Sequence, residues 1–301
     1  MKIGIVTITY NSAKVIDGFL NSTLNQTHTN FILYIIDNIS KDNTLEIINQ
    51  YQDERIKIIA NQKNVGVAAG NNQGIKQALQ DNCNYILIIN NDVEFEYTMF
   101  EKLLFQMQAL DCSLIAPKMM YHPETHLIWW AGTHFNKYNG NKTKHIGIQE
   151  EDKGQYDTIC QVDYAPTACV LLKKEVIDDV GLMDEKYFAY YDDTDFFYRI
   201  YKQKKHLLFY YPFIQFYHKV GGLSNMRKGT AQKFKFNDFY IHLVTRNFVY
   251  YLRKQNTVWS WLNIFIFYFR EHLRFFFSGK YRVNFKTFKL LNISFFEGFK
   301  L

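Results

Sequence analysis

The chain has 301 residues, 48% of them hydrophobic and 21% charged, with a formal net charge of +6. That is the balance of a folded globular protein with ample core, and it excludes a disordered or fibrous chain. Four cysteines with no CxxC pair argue against a zinc site, and no uncharged apolar run reaches the roughly 18 residues of a membrane-spanning helix.

Met1-Lys2 leads straight into a strand pattern at residues 3–9, so no signal peptide is expected. The cysteines are expected as buried free thiols in a reducing, cytoplasmic setting. Helical spacing follows at 15–25, a strand at 31–37, and a helix at 42–50 opened by Asp42, whose charge suits the helix dipole. A strand at 56–60 precedes a glycine-bearing helix at 67–80. Residues 85–90 form a further strand, in which the run Ile86-Leu87-Ile88-Ile89-Asn90-Asn91 stops abruptly at the acid Asp92. Such a run has the length and branching of a strand buried on both faces, and strands of that kind present their functional groups at the carboxyl end. Asp92 is therefore expected at the mouth of a nucleotide-type crevice, with helix capping as its other reading. A helix at 98–110 closes this part. Repeated strand–helix alternation with short connections argues for a doubly wound, mostly parallel sheet. Short strands within 158–173 and at 206–211, with helices at 174–180 and 193–203, read as an extension of the same sheet.

The first strand–helix turn, Thr7-Ile8-Thr9-Tyr10-Asn11-Ser12, holds no glycine, which argues against a dinucleotide-binding dehydrogenase; a Walker A lysine loop is missing as well. The glycines lie later, at Gly66, Gly70 and Gly74, spaced by four as on one helix face. They are interleaved with Asn64, Asn71 and Asn72, amides that a helix used only for packing would avoid. Polar side chains with few positive charges at a sheet edge suit a nucleotide whose phosphates are carried by a metal.

On these segments the chain resembles a family 2 glycosyltransferase of the GT-A fold, in the branch of bacterial rhamnosyltransferase-like enzymes. The resemblance runs over residues 3–254 and is carried by Val6 to Ser12, Asp37 to Thr44, Asn64 to Gly74 and Asn90-Asn91-Asp92. It continues through residues 162–172, Gly181-Leu182-Met183-Asp184-Glu185, Tyr191-Asp192-Asp193-Thr194-Asp195-Phe196, His218 and Thr245-Arg246-Asn247. Any one motif is weak, but their order and spacing together are specific. The resemblance implies inverting transfer of a sugar from a UDP- or dTDP-linked donor, dTDP-rhamnose included, to a hydroxyl of a glycan acceptor in surface polysaccharide assembly. It places Asp37 on the pyrimidine base with Thr9 and Asn11 in the same pocket, and Asn64, Gly66, Asn71 and Asn91 around the donor. Asp92 matches the last acid of the family's DxD motif, which holds Mg2+ or Mn2+ on the diphosphate. The first position here is Asn90, and a single carboxylate is compatible with Mg2+ held largely by phosphate and water. His218 matches a histidine that approaches the metal or diphosphate; a satisfied structural histidine is its other reading.

Three acids in the first turn at Asp192-Asp193-Thr194-Asp195 suit the helix dipole, yet they repel one another and should raise at least one pKa. Inverting transfer needs a base for the acceptor hydroxyl. By the resemblance that base is Asp193, with Asp192 its neighbour and Asp195 in a capping or supporting role. Asp184 and Glu185 fall in a loop near the acceptor, where Leu182 replaces a frequent glycine. Trp129-Trp130 offers a ring for an acceptor sugar, with Trp130 the candidate, or else core packing. A sugar nucleotidyltransferase would need a glycine- and lysine-rich loop near the start, and a non-catalytic scaffold of this fold has no use for acids in a cleft.

Residues 231–301 carry 12 Lys/Arg against 3 Asp/Glu and 22 of the 53 aromatics, whereas the other 230 residues are net −3. The shift marks a boundary near residue 230 between a catalytic domain at 1–230 and a helical extension at 231–301. The apolar stretch from Trp259 to Phe269 is too short to span a bilayer. Arg270, Arg274, Lys280, Arg282, Lys286 and Lys289 interleave with phenylalanines, as in a helix lying in an anionic membrane interface. That places the protein peripherally at the inner face of the cell membrane, beside a lipid-linked acceptor. The other reading is a helical cap on the catalytic domain or on a second subunit; nucleic acid has no purpose here.

Overall fold

The computed structural model describes residues 1–219, 237–277 and 284–301. Its first third alternates β1 (Ile3–Thr9), α1 (Ile16–Leu24), β2 (Phe31–Asp37), α2 (Thr44–Gln50), β3 (Ile56–Ala60), α3 (Val67–Gln80) and β4 (Tyr85–Ile89). The four strands pair in parallel in the order β3-β2-β1-β4. Ile3, Ile5, Leu33, Ile35 and the run Ile86 to Ile89 are all buried, as continuous apolar strands are when helices cover both faces of a sheet. The glycine spacing in α3 serves this packing. A Cβ at Gly74 would sit 2.4 Å from Val6 Cγ1, so only glycine lets the helix lie this close to β1.

The chain continues through β5 (Val93–Phe95), α4 (Met99–Ala109), β6 (Leu114–Pro117), β7 (Met119–Tyr121), β8 (Ile128–Trp130), a 3-10 turn (Lys137–Asn139) and β9 (Cys160–Val162). Then come β10 (Cys169–Lys173), α5 (Lys174–Val180), α6 (Asp192–Gln203), β11 (Leu208–Tyr211) and β12 (Phe216–His218). β10, β6, β11 and β9 extend the main sheet to eight strands, with β10 antiparallel to both β4 and β6. The extension expected from sequence is present, and the short strands within 158–173 are β9 and β10, joined by a loop.

A second sheet, in the order β5-β12-β7-β8, was not foreseen. Its strands are three or so residues long, too short to show a period of two. It matters for the site, because β12 pairs antiparallel with β5 and sets His218 opposite Val93, next to Asp92. The amide of Lys219 donates to the Asp92 carbonyl at 2.8 Å.

The C-terminal helices are α7 (Asp238–Gln255), α8 (Val258–Phe277) and α9 (Phe285–Lys300). Asn237 and Asn284 cap α7 and α9 by accepting from the amides of Tyr240 and Thr287. α7 is buried from both sides, with Phe248 and Tyr251 clustered with Tyr187, Ile264 and Phe295. No helix among the described residues is long and apolar enough to cross a membrane. The boundary near residue 230 and the side chains of Lys280 and Arg282 lie outside the described residues. Cys83, Cys112 and Cys169 are buried free thiols, whereas Cys160 is exposed at an edge strand of the main sheet.

Candidate active site

The carboxyl ends of β1, β2 and β4 open onto a cleft of about 570 Å³. Its walls include Tyr10 from the end of β1, Asn38 from β2, and Asn90, Asn91 and Asp92 from β4. The start of α3 adds Asn64, Gly66 and Asn71, and the far side is closed by Phe188, Ala189 and Phe239. A crevice at the carboxyl edge of an α/β sheet is where ligands of such folds bind.

Asp37 stands just behind this wall. It is 1% exposed and accepts hydrogen bonds from Thr9 Oγ1 at 2.8 Å, Ser40 Oγ at 2.5 Å and the Ser40 amide at 2.9 Å. Asn11, in left-handed geometry with φ of 54°, accepts from the Lys41 amide at 2.7 Å. Thr9, Asn11 and Asp37 thus tie together the loops after β1 and β2. The residues those loops turn into the cleft are Tyr10 and Asn38, which the sequence reading did not single out. Asn38 Nδ2 in turn donates to the Gly66 carbonyl at 3.2 Å.

Gly66 has a φ of +86°, and a Cβ there would lie 2.3 Å from the Phe188 carbonyl oxygen. That carbonyl accepts from the Val67 amide at 2.6 Å, so the glycine closes the loop against the far wall. Asn64 Oδ1 accepts from the Gly66 amide, and Asn71 is 3% exposed. Asn72 grips the backbone of Met183 through both amide atoms and donates to Glu185 at 2.9 Å. Asp184 accepts from Tyr250 and Lys254 on α7, each at 2.8 Å. Burial works against its charge, but these bonds hold its carboxyl below the ordinary value. Asp184 and Glu185 therefore fasten the 183–191 segment to α7 and α3.

That segment is strained where it reaches the acid cluster. Tyr190 and Tyr191 are both left-handed, with φ of 67° and 68°, at a cost of about 1–3 kcal/mol each. Asn247 on α7 holds them by donating to the carbonyls of Ala189 at 2.8 Å and Tyr190 at 2.9 Å. The Tyr191 ring packs on Phe248 and Tyr251. The distortion delivers Asp192, Asp193 and Asp195 at the first turn of α6 in three different environments.

Asp195 is 2% exposed and paired with Arg199 at 3.0 Å and Lys254 at 2.7 Å. Asp192 is buried with no cation paired to it among the described residues, and burial, followed by the charge of Asp193, raises its pKa well above the ordinary range. Asp193 is only half-buried. Its Oδ2 accepts from Tyr164 OH at 2.6 Å, and its Oδ1 accepts from the Thr194 amide and hydroxyl at 2.6 and 3.1 Å. Asp192 is thus the acid of the cluster whose pKa is pushed up, by burial first and by the charge of Asp193 second.

A pH prediction follows from Asp192. The folded protein keeps a proton that the unfolded chain releases near a pKa of about 3.9. The stability so contributed is complete below that pH and is lost as pH rises through the folded value. Asp192→Asn removes the loss, so its melting temperature relative to wild type should climb steadily from acid to alkaline buffer. A constant difference across that range would show that Asp192 is not held neutral.

Asp92 lies at the other end of the site. His218 Nε2 is 3.2 Å from Asp92 Oδ1 and 3.5 Å from Asn90 Nδ2. From His218 a strip of rings runs toward Asp193. Trp129 meets His218 edge-on at 4.4 Å and His145 at 4.9 Å, and His145 lies 6.3 Å from Tyr164, which bonds Asp193. His145 Nδ1 is 3.1 Å from the Trp129 carbonyl, which only accepts, so the proton is assigned to Nδ1. Burial lowers the His145 pKa, leaving Nε2 with a lone pair. His145 and Tyr164 were missed from sequence. Tyr164 lies in one of the quoted segments, but His145 sits in a stretch with no periodicity to mark it. Trp130, expected against an acceptor sugar, is instead fully buried, with its indole donating to Thr133 at 3.1 Å. It is core because side chains alternate along β8, and the alternation turns Trp129 to the site.

The donor set at Asp92 fits a hard divalent ion. One carboxylate and one imidazole stand 3.2 Å apart, and the buried Asn91 Oδ1 and His218 Nδ1 have no partner among the described residues. Among the described residues no three His, Cys, Asp or Glu side chains converge. The protein would thus supply only part of the coordination of Mg2+ or Mn2+, with diphosphate and water completing it.

Residues 4–181 match the model of Glycosyl transferase family 2. The low-salt glycan biosynthesis hexosyltransferase Agl10 of Haloferax volcanii is 25% identical over 55% of this chain and 52% of its own length. Glycosyltransferase GlyG of Streptococcus pneumoniae is 25% identical over 73% of this chain and 71% of its own. The chain thus spans about half of the first of these relatives. Among solved structures, S. aureus TarS 1-349 in complex with UDP-GlcNAc superposes with a TM-score of 0.62 at 16% identity, covering 98% of this chain and 79% of that one. At that identity the likeness is one of fold.

Proposed function

Because this chain belongs to glycosyl transferase family 2, we propose that it is an inverting glycosyltransferase that moves a sugar from a UDP- or dTDP-linked donor to a hydroxyl of a glycan acceptor. The observation that carries this reading is geometric, two carboxylates held at the two ends of one strip of rings: Asp92 beside His218, and Asp193 fixed by Tyr164 and Thr194. The nucleotide would lie in the cleft along Tyr10, Asn38 and Asn64, and its diphosphate would reach Asp92. Asp92 and His218 would hold a divalent cation, which would supply positive charge against the charge that builds on the departing diphosphate. Asp193 accepts the proton of the acceptor hydroxyl as its oxygen attacks the anomeric carbon from the face opposite the diphosphate. The new carbon–oxygen bond forms, the bond to the phosphate oxygen breaks, and the nucleoside diphosphate leaves with the electron pair. Tyr164 and Thr194 fix the Asp193 carboxylate for that task by donating to it.

Thermal shift tests the reading at low cost. UDP or dTDP with Mg2+ should raise the melting temperature, and a panel of nucleotide sugars should include one that the protein slowly hydrolyses. No shift with either nucleotide would remove the donor site proposed here.

We further propose that residues 231–301 form an extension that seats the enzyme on an anionic membrane, beside a lipid-linked acceptor. One face of α8 leaves Leu262, Phe265, Phe269, Leu273 and Phe276 each at least 43% exposed, spaced as one helical stripe. Basic residues lie on α8 and α9 nearby, among them Arg270, Lys286 and Lys289. The full chain is expected to float with phosphatidylglycerol vesicles at low salt, and Phe265→Asp with Leu273→Asp should abolish flotation. A chain that stays unbound and elutes as a dimer would make this stripe a contact between two copies instead.

A further inference from the structure

A second cleft, of about 750 Å³, opens at the far end of α6 from Asp193. It is bounded by the 3-10 turn, the second half of α6 and the start of α8, and its walls are mostly rings. Phe135 lies 5.6 Å from Tyr198 and 5.3 Å from Tyr201, and Tyr138 meets Trp259 edge-on at 4.7 Å. These rings are not spent on core packing: Tyr138 is 61% exposed, Tyr201 41% and Trp259 38%. The turn that carries Tyr138 is held in place by Asn136, which accepts from the Tyr138 amide at 2.9 Å, and by Asn263 of α8, which donates to the Tyr138 carbonyl at 3.1 Å.

We propose that this cleft is a distal subsite for the acceptor glycan, resting on the glycosyltransferase reading above. Three observations converge on a neutral, ring-shaped polyol as its ligand. Exposed aromatic faces suit the C–H face of a pyranose, and phenol and amide groups at their edges offer both donors and acceptors to hydroxyls. Charge is scarce: His134 faces Asp163 at 3.3 Å, and the Lys137 ammonium lies over the Tyr138 ring at 5.2 Å. A phosphate or acidic ligand would find little to hold it. The cleft also borders the site, since the Phe135 ring packs 6.4 Å from that of Tyr164, a buried residue whose hydroxyl bonds Asp193. Asp193 and Tyr201 are eight positions apart on one helix, about 12 Å along its axis. That is further than a single sugar reaches, so the ligand is an oligosaccharide whose end sits at Asp193 while its body lies on Tyr201, Tyr138 and Trp259.

The test uses the full-length protein on an array of immobilised oligosaccharides of one to eight hexose and N-acetylhexosamine units. Wild type should bind a subset of the longer oligosaccharides and none of the monosaccharides. Tyr201→Ala and Trp259→Ala should each weaken that binding by at least about tenfold, on the order of one stacked ring lost, and Tyr201→Phe should keep it. The thermal shift produced by UDP or dTDP should be the same in all four proteins. Unchanged oligosaccharide binding in both alanine variants, or no binding to any glycan by the wild type, would overturn the subsite. A missing nucleotide shift with the expected glycan pattern would instead remove the donor site and leave this cleft a glycan-binding site without an acceptor role.

Discussion

Asp193→Asn should lower turnover by roughly 10²–10⁴, the usual worth of a general base, while leaving the affinity for the donor nucleotide intact. The substitution keeps shape and volume but removes basicity. Asparagine keeps one accepting oxygen but now also presents Nδ2–H, which the Tyr164 hydroxyl can turn to accept. The Thr194 amide can only donate and is orphaned if it faces that group. An orphaned buried donor costs about 1–3 kcal/mol, so a modest drop in melting temperature should accompany the kinetic loss. Steady-state rates against donor and acceptor, with UDP affinity measured alongside, separate the two effects. Near-normal turnover would move proton acceptance elsewhere, and the next group to test would be His145, whose Nε2 carries a lone pair on the strip of rings between the two acids.

Asp92→Ala should take transfer below detection, because charge compensation at a departing diphosphate is worth several kcal/mol. The fold should survive, since Asp92 sits where β4 leaves the sheet and not within the apolar run that precedes it. EDTA should do the same to the wild type, and added Mg2+ or Mn2+ should restore the rate. His218→Ala should raise the concentration of metal needed for half-maximal rate without abolishing transfer, because the imidazole 3.2 Å from Asp92 is lost while the carboxylate remains. Full activity in EDTA would end the metal-dependent reading and leave Asp92 as a partner of His218 alone.

Both predictions rest on residues that local sequence made visible, though for different reasons. Asp92 was legible because a buried strand is a continuous apolar run and its end is abrupt. Asp193 was legible as one of three acids in a first turn, but its distinction from Asp192 and Asp195 was available only through resemblance. The structure separates them by surroundings. Among the described residues Asp195 has two cations, Asp192 is buried with none, and Asp193 is half-buried among donors. The surroundings come from Lys254 on α7 and Tyr164 before β10, residues far from α6 in the chain.

The elements of the parallel half were set by the sequence itself. β1, β2, β3 and α3 begin and end where apolar periodicity and the glycine and asparagine signals put them, because helix and strand periods are local properties of a chain. The mostly parallel sheet was legible for the same reason, whereas the family was legible only through the resemblance of its motifs in order and spacing. What only the tertiary structure decided are the contacts between distant segments. The second sheet brings His218 to Asp92 across 126 positions. Asn247 of α7 holds two tyrosines in a conformation that their own propensities disfavour. Thr9, Asn11 and Asp37 brace the cleft while Tyr10 and Asn38 line it. Trp129 faces the site and Trp130 the core. Three-residue strands have no period to read, and strain is stable only where packing from elsewhere enforces it. The direction of a side chain at a strand end depends on which neighbour the strand finds.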